Sequence, residues 1–414
     1  MIGAQSLSLS AAMSLKPGLR RIERRRLLRA LVLIVPLFAF LLFNFAFPIG
    51  AVLMRSVRDV ELAAAMPRTA AVIQQWDGRD LPDATVAAVL VEELARARDE
   101  GTVSSVANRL NYDVNGFRTL LLSTARRLPL SDPGSALDQL IKIDARWGDR
   151  NYWAAIKHAA GPYTSFYLLA ALDRRVSVDG EIVLTPADQR VFTNIFFRTF
   201  WISLVVTTLC LILGYPVAYL LANVHPRVSN LLMILVLLPF WTSVLVRTTG
   251  WAVLLQREGA INNILRAMGA ISEPMQLIYN RTGVYVAMTQ VLLPFMVLPL
   301  YGVMKGIAPT TMRAALSLGA RPWVAFRRVY LPQSMPGISA GCLLVFILAL
   351  GYYITPALVG GADDQMVSYF IAFYTNETLN WGMAAALGVI LLTVTLALYA
   401  LYNRLSGTAG PRWA

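Results

Sequence analysis

Six separate apolar runs, at 31–53, 199–222, 229–254, 283–304, 336–359 and 382–403, constrain this 414-residue chain more than any other feature. Roughly twenty such residues cross a bilayer as a helix. Lipid offers no partner to a free backbone N–H or C=O, so a spanning segment must satisfy itself internally. The sequence therefore predicts an all-α membrane protein with six transmembrane helices. Charged residues make up only 15% of the chain, where soluble domains run near 25%. The first run is too long for a signal-peptide core. Arg55, Arg58, Asp59 and Glu61 separate it from the cleavage-like Ala63-Ala64-Ala65. It is expected to remain as an anchor.

Charge sets the orientation. Lys16, Arg20, Arg21, Arg24, Arg25, Arg26 and Arg29 precede the first run. Arg227 follows the second run, and Lys305, Arg313, Arg321, Arg327 and Arg328 follow the fourth. Arg404 and Arg412 follow the sixth, and Glu23 is the one acid on this side. Positive loops stay in the cytoplasm, so both termini are expected there. The formal charge of +13 thus reflects topology and membrane lipid rather than nucleic acid. Cys210 and Cys342 lie inside apolar runs, with neither a disulfide framework nor metal-ligand spacing.

The predicted organisation is a basic cytoplasmic segment (1–30), a first helix (31–53), an extracytoplasmic insert (54–198), a membrane core (199–403) and a cytoplasmic tail (404–414). The insert holds equal numbers of acids and bases and is expected to be mainly helical. Asp83 is placed to cap a helix ending before Gly101, with Val86, Leu90, Leu94 and Ala97 on one face. "VSVDGEIVL" (176–184) predicts a hairpin on Asp179-Gly180. The insert is expected to serve as a docking surface or as a cap on the spans.

One charged segment interrupts the apolar pattern: "RAALSLGARPWVAFRRVYLPQSMPG" (313–337), with four arginines and no acid. Each arginine at a bilayer centre costs about 2.5–3.5 kcal/mol on insertion scales. The segment must lie at or outside the cytoplasmic surface. Thr310 or Thr311 is placed to cap a first short helix. Ala315 and Gly319 make one side small, and Gly319 suits its stop. Pro322 suits the start of a second helix. There Trp323, Phe326, Val329 and Tyr330 share an arc of about 120°. Leu331-Pro332 is expected to end it.

The spacing Arg313-Ala314-Ala315, Gly319, Val329, Leu331-Pro332 resembles the Glu-Ala-Ala–Gly–Ile–Leu-Pro signature of permease subunits from binding-protein-dependent ABC importers. Every interval matches. Arg313 replaces the family's acid, so no salt bridge from that position carries over, and Val329 replaces isoleucine. "LGYPVAYLLAN" (213–223), "LPFWTSVLVRTTGW" (238–251), "LLPFMVLPLY" (292–301) and "MPGISAGCLLVFILALGYYITPALVGG" (335–361) are most similar to permeases of the spermidine/putrescine type. Permeases for iron, thiamine and other solutes share much of this. The resemblance implies that the loop 306–335 seats in a groove of a cytoplasmic ATP-binding subunit, through Arg313, Ala314, Ala315, Gly319, Trp323, Val329, Leu331 and Pro332. It further implies a second permease subunit, a periplasmic binding protein and a bacterial inner-membrane location. ATP and Mg would sit on the partner ATPase, and this chain would carry no cofactor.

The chain's own residues agree that it is not an enzyme. None of its lysines is followed by Ser or Thr, so it has no phosphate-binding loop. "GISAG" (337–341) matches a nucleophile-elbow pattern. Ser339, however, falls in a helical run far from His158, and His225 has no acid beside it in sequence. Small-residue helix packing is the better account. For the pathway, Pro239, Pro294, Pro299 and Pro356 are placed to bend spans. Trp241, Thr242, Ser243, Tyr352, Tyr353, Asp363 and Asp364 are the candidate lining residues, aromatic faces and acids suiting a cation. Arg247 is expected to snorkel to the outer surface. A secondary transporter would need buried acids or histidines, and no span contains an acid. A receptor would need a cytoplasmic output domain, for which about ten residues follow the last run.

Overall fold

Helices dominate the computed structural model, which describes residues 34–129, 135–177 and 180–407 together with Val32. The segment 1–30, residues 408–414 of the tail and the turn residue Asp179 lie outside the described residues. The chain divides into two units, Met1–Arg55 and Ser56–Ala414. The first contains one apolar helix, α1 (Ile34–Met54).

In the second unit, a helical globule comes first: α2 (Glu61–Ala65), α3 (Pro67–Ile73), α4 (Ala84–Asp99), α5 (Val103–Asp113), α6 (Phe117–Arg126), α7 (Ala136–Ile143) and α8 (Arg150–Ala159). Asp83 stands at the start of α4 but makes no side-chain cap, while Val86, Leu90, Leu94 and Ala97 are all buried as their spacing predicts. Phe117, Trp147 and Trp153 fill the centre, with Trp147 edge-on to Phe117 at 6.1 Å. A short helix α9 (Phe166–Ala170) and a two-stranded antiparallel hairpin, β1 (Arg174–Val176) with β2 (Ile182–Leu184), lead to the membrane core.

Within the globule one cation serves two acids. Arg109 is buried; its Nε donates to Asp59 Oδ2 and its Nη1 to Asp113 Oδ2, both at 2.6 Å. Its guanidinium also lies 4.5 Å from the ring centre of Phe166 and 5.2 Å from that of Tyr167. One guanidinium cannot fully offset two buried carboxylates. Burial pushes the Asp113 carboxyl up to about 6, with the Arg109 charge acting against the rise.

The core helices are α10 (Phe192–Asn223), α11 (Pro226–Leu237), α12 (Val244–Leu254), α13 (Ala260–Ala267) and α14 (Arg281–Lys305). Then come α15 (Pro309–Ser317), α16 (Pro322–Leu350), α17 (Ile354–Val359), α18 (Val367–Asn376) and α19 (Trp381–Gly407). Five helices are long and apolar enough to cross a membrane: α1, α10, α14, α16 and α19. The pair α11 and α12 passes that test only jointly, and it is bent by 96°. The single span expected at 229–254 is therefore broken. Pro239 sits in a tight turn, Leu238–Trp241, where its missing N–H and ring end the α-helix. The run at 336–359 also differs: its helix begins at Pro322, stops at Leu350 and resumes as α17.

Close packing of α10, α14 and α16 builds the core. Met296 of α14 is fully buried between Gly214 and Gly341. A Cβ on Gly214 would lie 3.1 Å from Met296 Cγ, and one on Gly341 would lie 2.8 Å from Met296 Sδ. Gly337 approaches the Pro299 carbonyl and Leu300 Cα, at 3.2 and 3.3 Å from the same imagined atom. The glycines of "GISAG" are thus packing residues, and Ser339 Oγ donates to the Pro336 carbonyl of its own helix.

The insert grips this core at two points. The Asp173 carboxylate accepts from Val191, Phe192 and Thr193 N–H, at 3.1, 3.0 and 2.6 Å, capping α10. Burial works against its charge, yet these donors hold its carboxyl below the usual range. The Tyr167 ring lies on Gly382 at the start of α19, too close for any Cβ there.

Gly337→Leu is expected to separate α16 from α14 at a backbone contact that cannot yield, costing about 1–3 kcal/mol, read as a lower melting temperature in detergent. A second expectation concerns pH. A carboxyl that holds its proton more tightly folded than unfolded stabilises at low pH and loses that contribution as pH rises through about 6. Burial, Lys157 and Arg109 lower His158, which acts in the opposite sense. The measurement is therefore the difference from Asp113→Asn. Acidification from about pH 7 to 5 should slow hydrogen exchange in α5 more in the parent than in the variant.

Candidate functional site

Two backbone devices shape the segment 309–332. Helix α15 begins with Pro309 after Ala308, so Thr310 and Thr311 lie inside it rather than capping it. Thr311 Oγ1 donates back to the Ala308 carbonyl at 2.7 Å. The helix ends as expected at Gly319, whose φ is +88°. Ala320 N–H bonds the Ala315 carbonyl (3.1 Å) and Gly319 N–H bonds Leu316 (3.0 Å), the paired closure of a left-handed stop. Pro322 then opens α16, with Arg321 before it.

Leu331-Pro332 does not end the second helix, contrary to expectation. Leu331 keeps helical angles, φ −58° and ψ −45°, and α16 runs on to Leu350. A wide turn over Phe326–Tyr330 makes this possible, with Leu331 N–H bonded to the Phe326 carbonyl five residues back. Such a turn re-phases the helix before a proline that would otherwise clash with the preceding turn. The second short helix is thus the first part of a membrane helix.

Aromatic rings brace this junction. Trp323, Phe326 and Tyr330 stack in series, at 5.7 Å and 5.8 Å with interplanar angles of 19° and 15°. Tyr215 and Tyr219 of α10 meet them edge-on, at 6.1 Å and 5.9 Å to Phe326 and 5.1 Å from Tyr219 to Tyr330. The Tyr215 hydroxyl pairs with Ser334 Oγ at 3.0 Å. The sequence held this signal in two aromatic pairs of spacing four, Tyr215/Tyr219 and Phe326/Tyr330. Beyond the stack the tip is bare: Leu318 is 89% exposed and Trp323 69%. Arg313, Ala314, Gly319 and Pro332 are exposed, and Ala315, Val329 and Leu331 are half-buried.

The pathway candidates fall at two chain breaks. Trp241, 78% exposed, Thr242 and Ser243 form the bend between α11 and α12, where Thr242 Oγ1 donates to the Pro239 carbonyl. Tyr352 and Tyr353 occupy the break between α16 and α17, with Tyr353 6.3 Å from the Tyr369 ring. Thr248 and Thr355 link α12 to α17 through a buried hydroxyl pair at 3.1 Å. Arg247 Nε and Nη1 are shut off from solvent and have no hydrogen-bond partner among the described residues. The snorkelling expected of Arg247 does not hold for those two atoms, which lie within electrostatic reach of Tyr352.

Asp363 and Asp364 part ways. Asp364 is buried and accepts from Arg281 Nε at 2.9 Å, so its charge is already committed. Asp363 is exposed, and its carbonyl accepts from Arg198 at 2.5 Å. Among the described residues no group of three or more His, Cys, Asp and Glu has metal-holding geometry.

Long apolar helices, one broken pair and a charged joint define a multi-span membrane protein. Residues 211–408 match the binding-protein-dependent transport system inner membrane component family. The spermidine/putrescine permease protein PotB of Haemophilus influenzae is 36% identical over 218 residues, covering 52% of this chain and 76% of that protein. PotB of Escherichia coli K12 is 33% identical over 216 residues, covering 52% and 78%. A solved bacterial ABC transporter that imports the acidic polysaccharide alginate aligns at 19% identity over 53% of this chain and 80% of its own, with a TM-score of 0.44. The chain belongs to the inner-membrane permease family of binding-protein-dependent ABC importers. It is a multi-pass transport subunit of the inner membrane rather than an enzyme.

Replacing Arg281 by Met leaves the Asp364 carboxylate buried without its cation. The expected loss is about 1–3 kcal/mol, seen as a lower melting temperature; an unchanged value would show that Asp364 is satisfied elsewhere.

Proposed function

We propose that this subunit forms half of a pathway for a polyamine, putrescine or spermidine, driven by separate ATP-binding subunits that seat the 306–335 loop. The observation that carries the coupling role is the tip itself: exposed Leu318 and Trp323 on a joint that continues without a break into α16. Arg313, Ala314, Ala315, Gly319, Trp323, Val329, Leu331 and Pro332 form this contact or shape it. ATP and Mg belong to the ATPase, while a periplasmic binding protein and a second permease complete the assembly. Movement of the loop biases a two-state bundle between outward and inward access.

The proposed topology has six crossings, counting the bent pair as one, with both termini in the cytoplasm and 54–198 in the periplasm. Helix α10 supports it. Asp173 of the insert caps one end near Phe192, and the loop's aromatic stack meets the other at Tyr219. Those positions are about 40 Å apart along a helix, more than a bilayer's hydrocarbon thickness. That separation supports an insert and a loop on opposite sides.

The polyamine assignment rests on similarity to the PotB permeases. The candidate lining residues are Trp241, Thr242, Ser243, Tyr352 and Tyr353, with Asp363 as the free acid at the rim. Arg247 favours a second reading. Its Nε and Nη1 lack a hydrogen-bond partner among the described residues, and if the pathway opens onto them they would suit a solute with oxygen acceptors, so another small solute is the alternative. Uptake of labelled putrescine and spermidine by the reconstituted complex decides between them.

Coupling is tested at Gly319. A β-branched residue is strained at φ +88°, whereas asparagine tolerates it. Gly319→Val is expected to lose most uptake and most stimulated ATPase activity while still inserting. Gly319→Asn is expected to keep both, and full activity in the valine variant would refute the coupling role.

A further inference from the structure

A cleft lies in the insert, outside the residues matched by the permease family. It has a volume of about 660 Å³ and opens between α8, the hairpin and the turn at 163–166. Pockets of roughly 300–1,000 Å³ are of the size that holds small molecules. One wall is a single face of α8, from Arg150 to His158; the other is the hairpin with Arg175; Phe166 and Tyr163 contribute rings.

Among the described lining residues two arginines are met by one acid, Asp113. Arg175 is exposed, and no partner of its guanidinium is found among the described residues. Arg150 is held in place by the Gly78 and Arg79 carbonyls through Nη1, at 3.4 and 2.5 Å, and both acceptors are neutral. Asp113, the acid of the lining, is already paired to Arg109 at 2.6 Å. Burial, with Lys157 and Arg109 nearby, lowers the His158 pKa and so favours its neutral form. Ser165 and Tyr163 add hydroxyls, and Val114, Ala155 and Val183 add apolar surface. Two arginines among apolar and aromatic lining residues suit a carboxylate on a small organic body. They oppose a polyamine.

The cleft also adjoins the membrane core. Phe166 lines it, and the Phe166 ring lies 5.3 Å from the Tyr167 ring that rests on Gly382 of α19. Arg109 sits over both rings.

We propose that this cleft is a binding site for a small organic carboxylate, distinct from the transported solute. The proposal does not rest on the polyamine reading. It is tested by calorimetric titration of the full-length protein in lipid nanodiscs with citrate, glutarate and phenylacetate in turn, and with spermidine as the opposite charge. At least one carboxylate is expected to bind saturably at one site. Arg175→Gln should weaken that binding at least fivefold, and Ser165→Trp, an exposed rim position that fills the cleft, should abolish it. Spermidine should not displace the bound carboxylate. The proposal is overturned if none of the three carboxylates binds, if both variants bind like the parent, or if spermidine competes.

Discussion

The approach of three helices around one methionine underlies the membrane core. Water drives no apolar side chain inward within a bilayer, so helices hold together by close packing and buried polar links. Gly214 and Gly341 let α10 and α16 reach Met296 from two sides, and Gly337 brings α16 onto the α14 backbone. Buried hydroxyls add the polar links. Thr199, Ser203 and Thr207 each return a hydrogen bond to the helix carbonyl four residues back, and Thr199 also accepts from Val367 N–H. The helices that carry the loop and the two broken segments hang on this packed trio.

Helix α16 shows how a proline-rich sequence remains continuous. Pro332 and Pro336 each remove a donor, and a helix read from sequence should stop before the first. The wide turn at Phe326–Tyr330 absorbs the disturbance, and five rings hold it in shape. A rigid joint is what mechanical transmission requires, because a hinge there would dissipate displacement. The left-handed stop at Gly319 gives the other side of the loop a fixed angle.

Legibility in the sequence followed the range of the interaction. Apolar runs gave the long helices α1, α10, α14 and α19, since hydropathy is a property of each segment alone. The stop at Gly319, the start at Pro322 and the buried face of α4 were equally local, and the structure has them. What escaped depended on partners far along the chain. Leu331-Pro332 looked like a terminus because the compensating turn and its tyrosine braces lie on another helix. Asp364 looked like a free acid because Arg281, 83 residues away, could not be paired with it from sequence. Arg247 looked like a surface residue because Tyr352, far along the chain, could not be placed beside it from sequence.

The insert and the loop both contact α10, at its two ends. Asp173 fixes the insert end of α10 through three charge-assisted bonds, and the helix dipole adds to them. Tyr167 fixes α19 by occupying the space that Gly382 leaves. A loop displaced as proposed would turn α16 against its neighbours, and Gly214 and Gly341 stand where α10 and α16 meet Met296. One methionine side chain between two glycines leaves less to interlock than facing leucines would. On the proposed coupling role, the glycines that let the helices pack are therefore also the ones that let them turn.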